Sequence, residues 1–161
     1  MLLRIKSDEI LADLRSAAWL EQELHPELDR HRRHQMADIC EGDNTDRVWR
    51  VLGISIAELR LALRRLLKPP TAFSPANDLE RPDSWKFNFT YRLPDATALY
   101  IKEKIHEYLV AKVMADSTEV IIPSCADVWR IRAQDALAAL RETAATAATA
   151  HSPVRRPIWP L

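Results

Sequence analysis

Over residues 85–93 the chain alternates. Trp85, Phe87, Phe89, Tyr91 and Leu93 fall on one side of an extended backbone, and Lys86, Asn88, Thr90 and Arg92 on the other. A period of two is the pattern of a strand. The rest of the chain mostly repeats at helical spacing, and one strand cannot satisfy its own backbone N–H and C=O groups. Whatever the chain folds into must therefore supply a partner. Two segments within it have the composition: LLRIK at 2–6 and EVIIP at 119–123. A two-stranded ribbon is marginal alone, and its free edges invite a second copy or an extended peptide. Five large apolar groups on one face also demand cover, worth several kcal/mol at about 25 cal/mol per Å².

Around this strand the spacing predicts five helices. Ile10, Leu11, Leu14, Ala17 and Ala18 mark the first, over 8–23, which Pro26 ends; a polar second follows over 27–39. Asn44 or Thr45 can cap the third. There, Gly53 followed by Ser55 and Glu58 resembles the turn and capping box of a helix-turn-helix DNA-binding unit. Trp49, Leu52, Ile56, Leu59, Leu63 and Leu66 nevertheless keep one stripe across Gly53 without a phase break, which predicts one helix over 45–67. Four prolines then break 68–84 into a loop or arm. Asp95 is the expected cap of a fourth helix ending near 116, with Ala98, Ile101, Ile105, Leu109 and Val113 as its buried stripe. An extended stretch at 117–123 precedes a fifth helix capped by Ser124, which carries Trp129, Ala133, Ala136, Leu137, Leu140 and Ala144 and frays in the low-complexity ETAATAATA. The expected fold is mainly α: a helical bundle of about five helices with a small β element near 85–93. It forms one domain over 1–150, with a proline-rich excursion at 68–84 and an extended C-terminal arm at 151–161.

Composition removes several function classes. Gly42 and Gly53 are the only glycines, so phosphate-cradling glycine loops are absent. Lys plus Arg and Asp plus Glu balance at 23 each, so no global charge steers the chain to nucleic acid or membrane. No apolar run approaches membrane-spanning length. Cys40 and Cys125 form no CxxC pair and read as small buried hydrophobes of a reduced protein.

Candidate sites are few. His31, His34 and Asp38 share a helical face and are a metal-capable set, but a charged, solvated helix face is the reading preferred for them. His106 starts a zincin-like pattern that fails at Val110, which leaves a partly buried structural histidine. Arg60, Arg64 and Arg65 make the third helix basic enough to meet nucleic-acid phosphates. Trp85, Phe87, Phe89 and Tyr91 on the strand, with Arg155, Arg156, Ile158 and Trp159 on the C-terminal arm, are the expected partner-binding groups. No catalytic residue and no cofactor is expected.

The segments DRVWRVLGISIAELRLALRRLL, LPDATALYIKEKIHEYLVAKVMAD and ADVWRIRAQDALAALRETA, separated by the proline-broken excursion, resemble in order and pattern the small head–tail connector (neck adaptor) proteins of phages. The resemblance covers the last two thirds of the chain and rests on pattern, without a signature motif. It implies a helical, non-enzymatic virion structural protein that forms an oligomeric ring and grips portal or tail components through extended segments. Non-specific DNA contact through Arg60 and Arg64, and residence in the virion, are implied with it; without a phage origin the expectation is cytoplasmic. The alternatives are a helix-turn-helix DNA-binding regulator and a metal-dependent enzyme built on His31, His34 and Asp38.

Overall fold

The computed structural model describes residues 1–42, 44–69 and 81–150. The arm at 151–161, with Arg155, Arg156, Ile158 and Trp159, lies outside the described residues, as does 70–80 of the excursion. In chain order the elements are β1 (Leu2–Lys6), α1 (Ser7–Leu24), α2 (Arg30–Ala37), α3 (Asn44–Ala62), β2 (Ser84–Asn88), α4 (Asp95–Thr118) and α5 (Pro123–Ala150). The protein is thus mainly helical with one small antiparallel sheet.

The strand finds its partner in LLRIK. β1 and β2 pair antiparallel, with Leu3 opposite Phe87 and Ile5 opposite Trp85. Leu3, Ile5, Trp85 and Phe87 are all buried, so both strands turn their apolar face to the helices. Pairing continues one residue beyond β2, where the Phe89 N–H donates to the Met1 carbonyl at 2.7 Å and the Met1 ammonium donates to the Phe89 carbonyl at 3.2 Å. There β1 runs out, which is why the strand stops short of the expected residue 93. The other edge of β2 is met by the chain after α3: the Lys68 N–H donates to Asn88 O, and the Thr90 N–H to Leu66 O, both at 2.8 Å.

The second candidate strand, 119–123, is a correction. Residues 119–122 are the tight connection of a helical hairpin formed by α4 and α5, and Pro123 already opens α5. The N–H groups of Ile121 and Ile122 both donate to the Thr118 carbonyl, at 3.1 and 2.7 Å, satisfying the end of α4, while both side chains are buried. Hairpin closure overrides the β propensity of the two isoleucines.

Several helix ends also move. The serine at the start of α1 does not cap it: its N–H and Oγ both donate to the Asp83 carbonyl at 3.0 Å, tying α1 to the approach of β2. Pro94 holds the cap position of α4, and Asp95 stands inside the first turn, where its charge suits the helix dipole. α3 runs unbroken through Gly53, so no helix-turn-helix exists there. It ends at Ala62 and tightens into a turn that keeps Leu63 and Leu66 in the buried stripe. Asn44 and Thr45 hold the turn before α3, through hydrogen bonds to Asp38 O and Cys40 O. α5 does not fray: it reaches Ala150, with the hydroxyls of Thr143, Thr146 and Thr149 bonded to the carbonyls of Ala139, Glu142 and Ala145. Back-bonding satisfies each hydroxyl inside the helix, at a small cost that the neighbouring alanines offset.

α4 is the centre of the bundle. Six consecutive residues, Tyr108 to Val113, are buried apart from the half-buried Lys112, far more than the expected stripe. A helix apolar around most of its circumference is enclosed by its neighbours. α5 presents Ala126, Ala133, Ala136 and Ala144 to this core, and such small side chains let two backbones approach closely. Among the described residues no helix is long and apolar enough to cross a membrane.

Candidate functional site

α3 and α5 both lean on α4, and a groove opens between them. Tyr108 and Lys112 of α4 form its floor, Glu58 and Leu61 one wall, and Ala133, Leu137 and Arg141 the other, around a hollow of about 440 Å³. A second hollow of about 390 Å³ continues past Leu61 and Arg141 to Arg64, Arg65 and Ala144. Leu61 stands at the junction, 64% exposed.

One carboxylate organises the floor. The Tyr108 hydroxyl donates to Glu58, and Lys112 Nζ lies 3.1 Å from Glu58 Oε2. Burial alone would raise the carboxyl of Glu58, but the hydrogen bonds from Tyr108 and Lys112 outweigh it and hold the group below the ordinary carboxylate value. The Tyr108 phenol is driven strongly upward, by burial first and then by its bond to Glu58. Glu58 is thus a neutralised structural anion. The rim is cationic: Arg64, Arg65 and Arg141 line the two hollows and are exposed, and among the described residues none of them makes an ion pair; Arg60 is exposed but lines neither hollow. Such a groove can take an apolar side chain flanked by negative charge.

The strand aromatics lie elsewhere. Trp85, Phe87 and Phe89 are in the chain's own core, Phe89 at 0% exposure, and Trp85 packs on Trp49 with ring centroids 5.8 Å apart. Their side chains therefore have no surface left for another molecule; Tyr91 is half-buried. The reason is the pairing with β1, which turns that face inward. His31, His34 and Asp38 are all exposed and are not brought together as a ligand set. α2 is only eight residues long, Asp38 sits at its C-cap, and His31 Nε2 is occupied with Gln35 at 3.2 Å. His106 is the structural histidine expected, 2.6 Å from Asp13 Oδ2 across the α1–α4 contact.

A different cluster is one that sequence reasoning missed. Glu21 and His25, one helical turn apart at the end of α1, meet Cys125 in the first turn of α5. One ligand atom from each lies within 4.8 Å of the other two. Cys125 is buried, and burial followed by a hydrogen bond to Glu21 pushes its thiol up to about 12. The i,i+4 spacing of Glu21 and His25 is visible in the sequence, but the third member lies a hundred positions away and only the fold of α5 onto α1 brings it close.

No family model, no curated protein and no solved structure matches this chain.

Proposed function

We propose that this chain is a non-enzymatic assembly protein that packs against further copies of itself, in the manner of a head–tail connector ring. The observation that carries the reading is Leu61, exposed at the middle of the α3–α5 groove. It belongs to a stripe. Ile54 and Leu61, seven residues apart on α3, share a face with Ala57 between them, and Arg50 and Arg64 bracket it. An apolar stripe framed by arginines has the make-up of an interface centre with its rim.

The partner most consistent with the charges is a second copy meeting this face with a different one. The chain balances 23 basic against 23 acidic residues, so an arginine-rich face implies acidic surface elsewhere. A self-complementary two-fold contact would set arginines on arginines; a head-to-tail contact avoids that, and it gives a ring where its rotation closes. Strand addition is a weaker route. The edge of β1 away from β2 is short and carries exposed Arg4 and Lys6, charges of the kind that discourage edge pairing. Portal or tail proteins as further partners, and a place in the virion, belong to the same proposal.

Sedimentation velocity on the full chain tests it, beside Leu61→Asp. The wild type is expected as a closed oligomer, and the variant, with unchanged helical circular dichroism, as a monomer. Burying the remainder of one leucine contributes about 1–2 kcal/mol at each interface, and an aspartate there reverses the sign. A wild type that stays monomeric at tens of micromolar overturns the proposal.

A further inference from the structure

We propose that Glu21, His25 and Cys125 bind a divalent cation of the zinc class, stapling the end of α1 to the start of α5. Thiolate, imidazole and carboxylate are the three donor types that zinc takes from proteins. Around a tetrahedral zinc ion, ligand atoms stand about 3.3–3.7 Å apart. Here His25 Nε2 and Glu21 Oε2 are 3.9 Å apart, and all three donors fall within 4.8 Å, so closure on a metal needs only small side-chain rotations.

What distinguishes this set from a chance meeting of polar groups is how its members are aimed. His25 Nδ1 lies 2.7 Å from Glu27 Oε1. A carboxylate only accepts, so Nδ1 carries the proton and, in the neutral ring, Nε2 presents its lone pair towards Glu21. On the carboxylate, the Trp129 Nε1–H occupies Oε1 at 2.9 Å and leaves Oε2 directed at the imidazole. His25 and Glu21 thus each have an outer partner fixing which atom faces inward, the arrangement that orients ligands around protein-bound metals. Without a cation the Cys125 S–H donates to the Glu21 carboxylate, while the Nε2 lone pair of His25 still faces Oε2 across 3.9 Å. An extra proton on the imidazole also resolves that conflict, and it is the rival occupant.

On binding, the Cys125 S–H bond breaks, a metal–sulfur bond forms and the proton passes to solvent; no electron moves. Both His25 and Glu21 are partly exposed, so water can reach the cluster. Three protein ligands and one water make the site, independently of how the chain assembles.

Titration of the purified full-length chain with Co²⁺, read by absorption, tests the site. One equivalent is expected to give a thiolate-to-cobalt charge-transfer band and tetrahedral d–d bands, both erased by Zn²⁺. Cys125→Ser should abolish the charge-transfer band, and His25→Ala should weaken binding at least tenfold. Cys40→Ser and the double variant His31→Ala/His34→Ala should leave it intact. Should Cys125→Ser fail to fold, the wild type still decides: Zn²⁺ must raise its melting temperature and chelator must lower it again. Absence of a cobalt–thiolate band in the folded wild type overturns the proposal in favour of the imidazolium, as does a band that survives Cys125→Ser.

Discussion

Two glycines in one chain make opposite predictions for the same substitution. Gly53 lies inside α3, its backbone is not in the left-handed region, and a Cβ built there meets nothing within 4 Å. Alanine at that position adds a methyl group to open space and removes glycine's excess unfolded-state freedom, which stabilises an exposed helix interior by about 0.8–1.0 kcal/mol. Gly42 has equally open space around its Cβ but a φ of +53°. There an L residue is strained, and Gly42→Ala should destabilise by about 1–2 kcal/mol. Urea unfolding followed by far-UV circular dichroism separates the two. With a slope of about 1–3 kcal/mol per M, Gly53→Ala should move the midpoint up by about 0.3–1.0 M at unchanged slope. In a chain of this size that is a rise of about 2–4 °C in Tm. Gly42→Ala should move it down, and the double variant should lie near or below the wild type. A fall in the midpoint for Gly53→Ala would refute the continuous helix and restore a turn at that position.

Ser55 is fully buried with an unpartnered Oγ among the described residues, so Ser55→Ala should stabilise by about 1–2 kcal/mol, read by the same unfolding curves; a loss would mean the hydroxyl has a bonded water. The Glu58 carboxyl titrates below the ordinary value of 4.5 in the folded chain, so its contribution to stability is fully present above that pH and is lost as pH falls through the lower folded value. Removing the donor with Tyr108→Phe should raise the Glu58 pKa in a carboxyl-carbon NMR titration and flatten the acid limb of stability; no movement would show that Lys112 alone holds it. Arg64→Ala/Arg65→Ala should leave the fold intact and reduce the salt dependence of any binding to a short DNA duplex, by about 0.9 in log–log slope for each phosphate no longer neutralised, measured by fluorescence anisotropy. Identical slopes would remove DNA as a ligand of this face.

How far the sequence carries depends on whether the information is local. The stripe of Trp49, Leu52, Ile56 and Leu59 predicts α3 correctly across Gly53, because periodicity is a local signal and one glycine is a small penalty against it. LLRIK is legible as one of two candidate partners for β2 from its composition. The choice against 119–123 is not legible: Ile121 and Ile122 favour strands, and only the hairpin of α4 and α5 makes their N–H groups end a helix instead. ETAATAATA reads as weak because alanine and threonine give little packing information, yet threonine hydroxyls that bond inside α5 are a device no periodicity reports. The strand aromatics are legible as one apolar face, but their destination, core or partner, depends on which side β1 turns toward the helices. For the site, Arg64 and Arg65 are exposed as their positions suggest, whereas Arg141, Lys112 and Tyr108 join them only through the packing of α3 and α5 on α4. Glu21, His25 and Cys125 lie beyond reach for the same reason.

The ribbon that opened the sequence has a consequence for how the polypeptide is made. Its last hydrogen bonds join Met1 to Phe89, 88 positions apart. At ordinary translation speeds that interval is about 4–18 s, during which Leu3 and Ile5 have left the ribosome with nothing to lie against. Worse placed still are α1 and α3, whose apolar stripes are meant for α4, a helix synthesised after them. The nascent first half is therefore a set of sticky surfaces waiting for their centre, and any stall before residue 95 should leave a fragment that aggregates or is held by a chaperone.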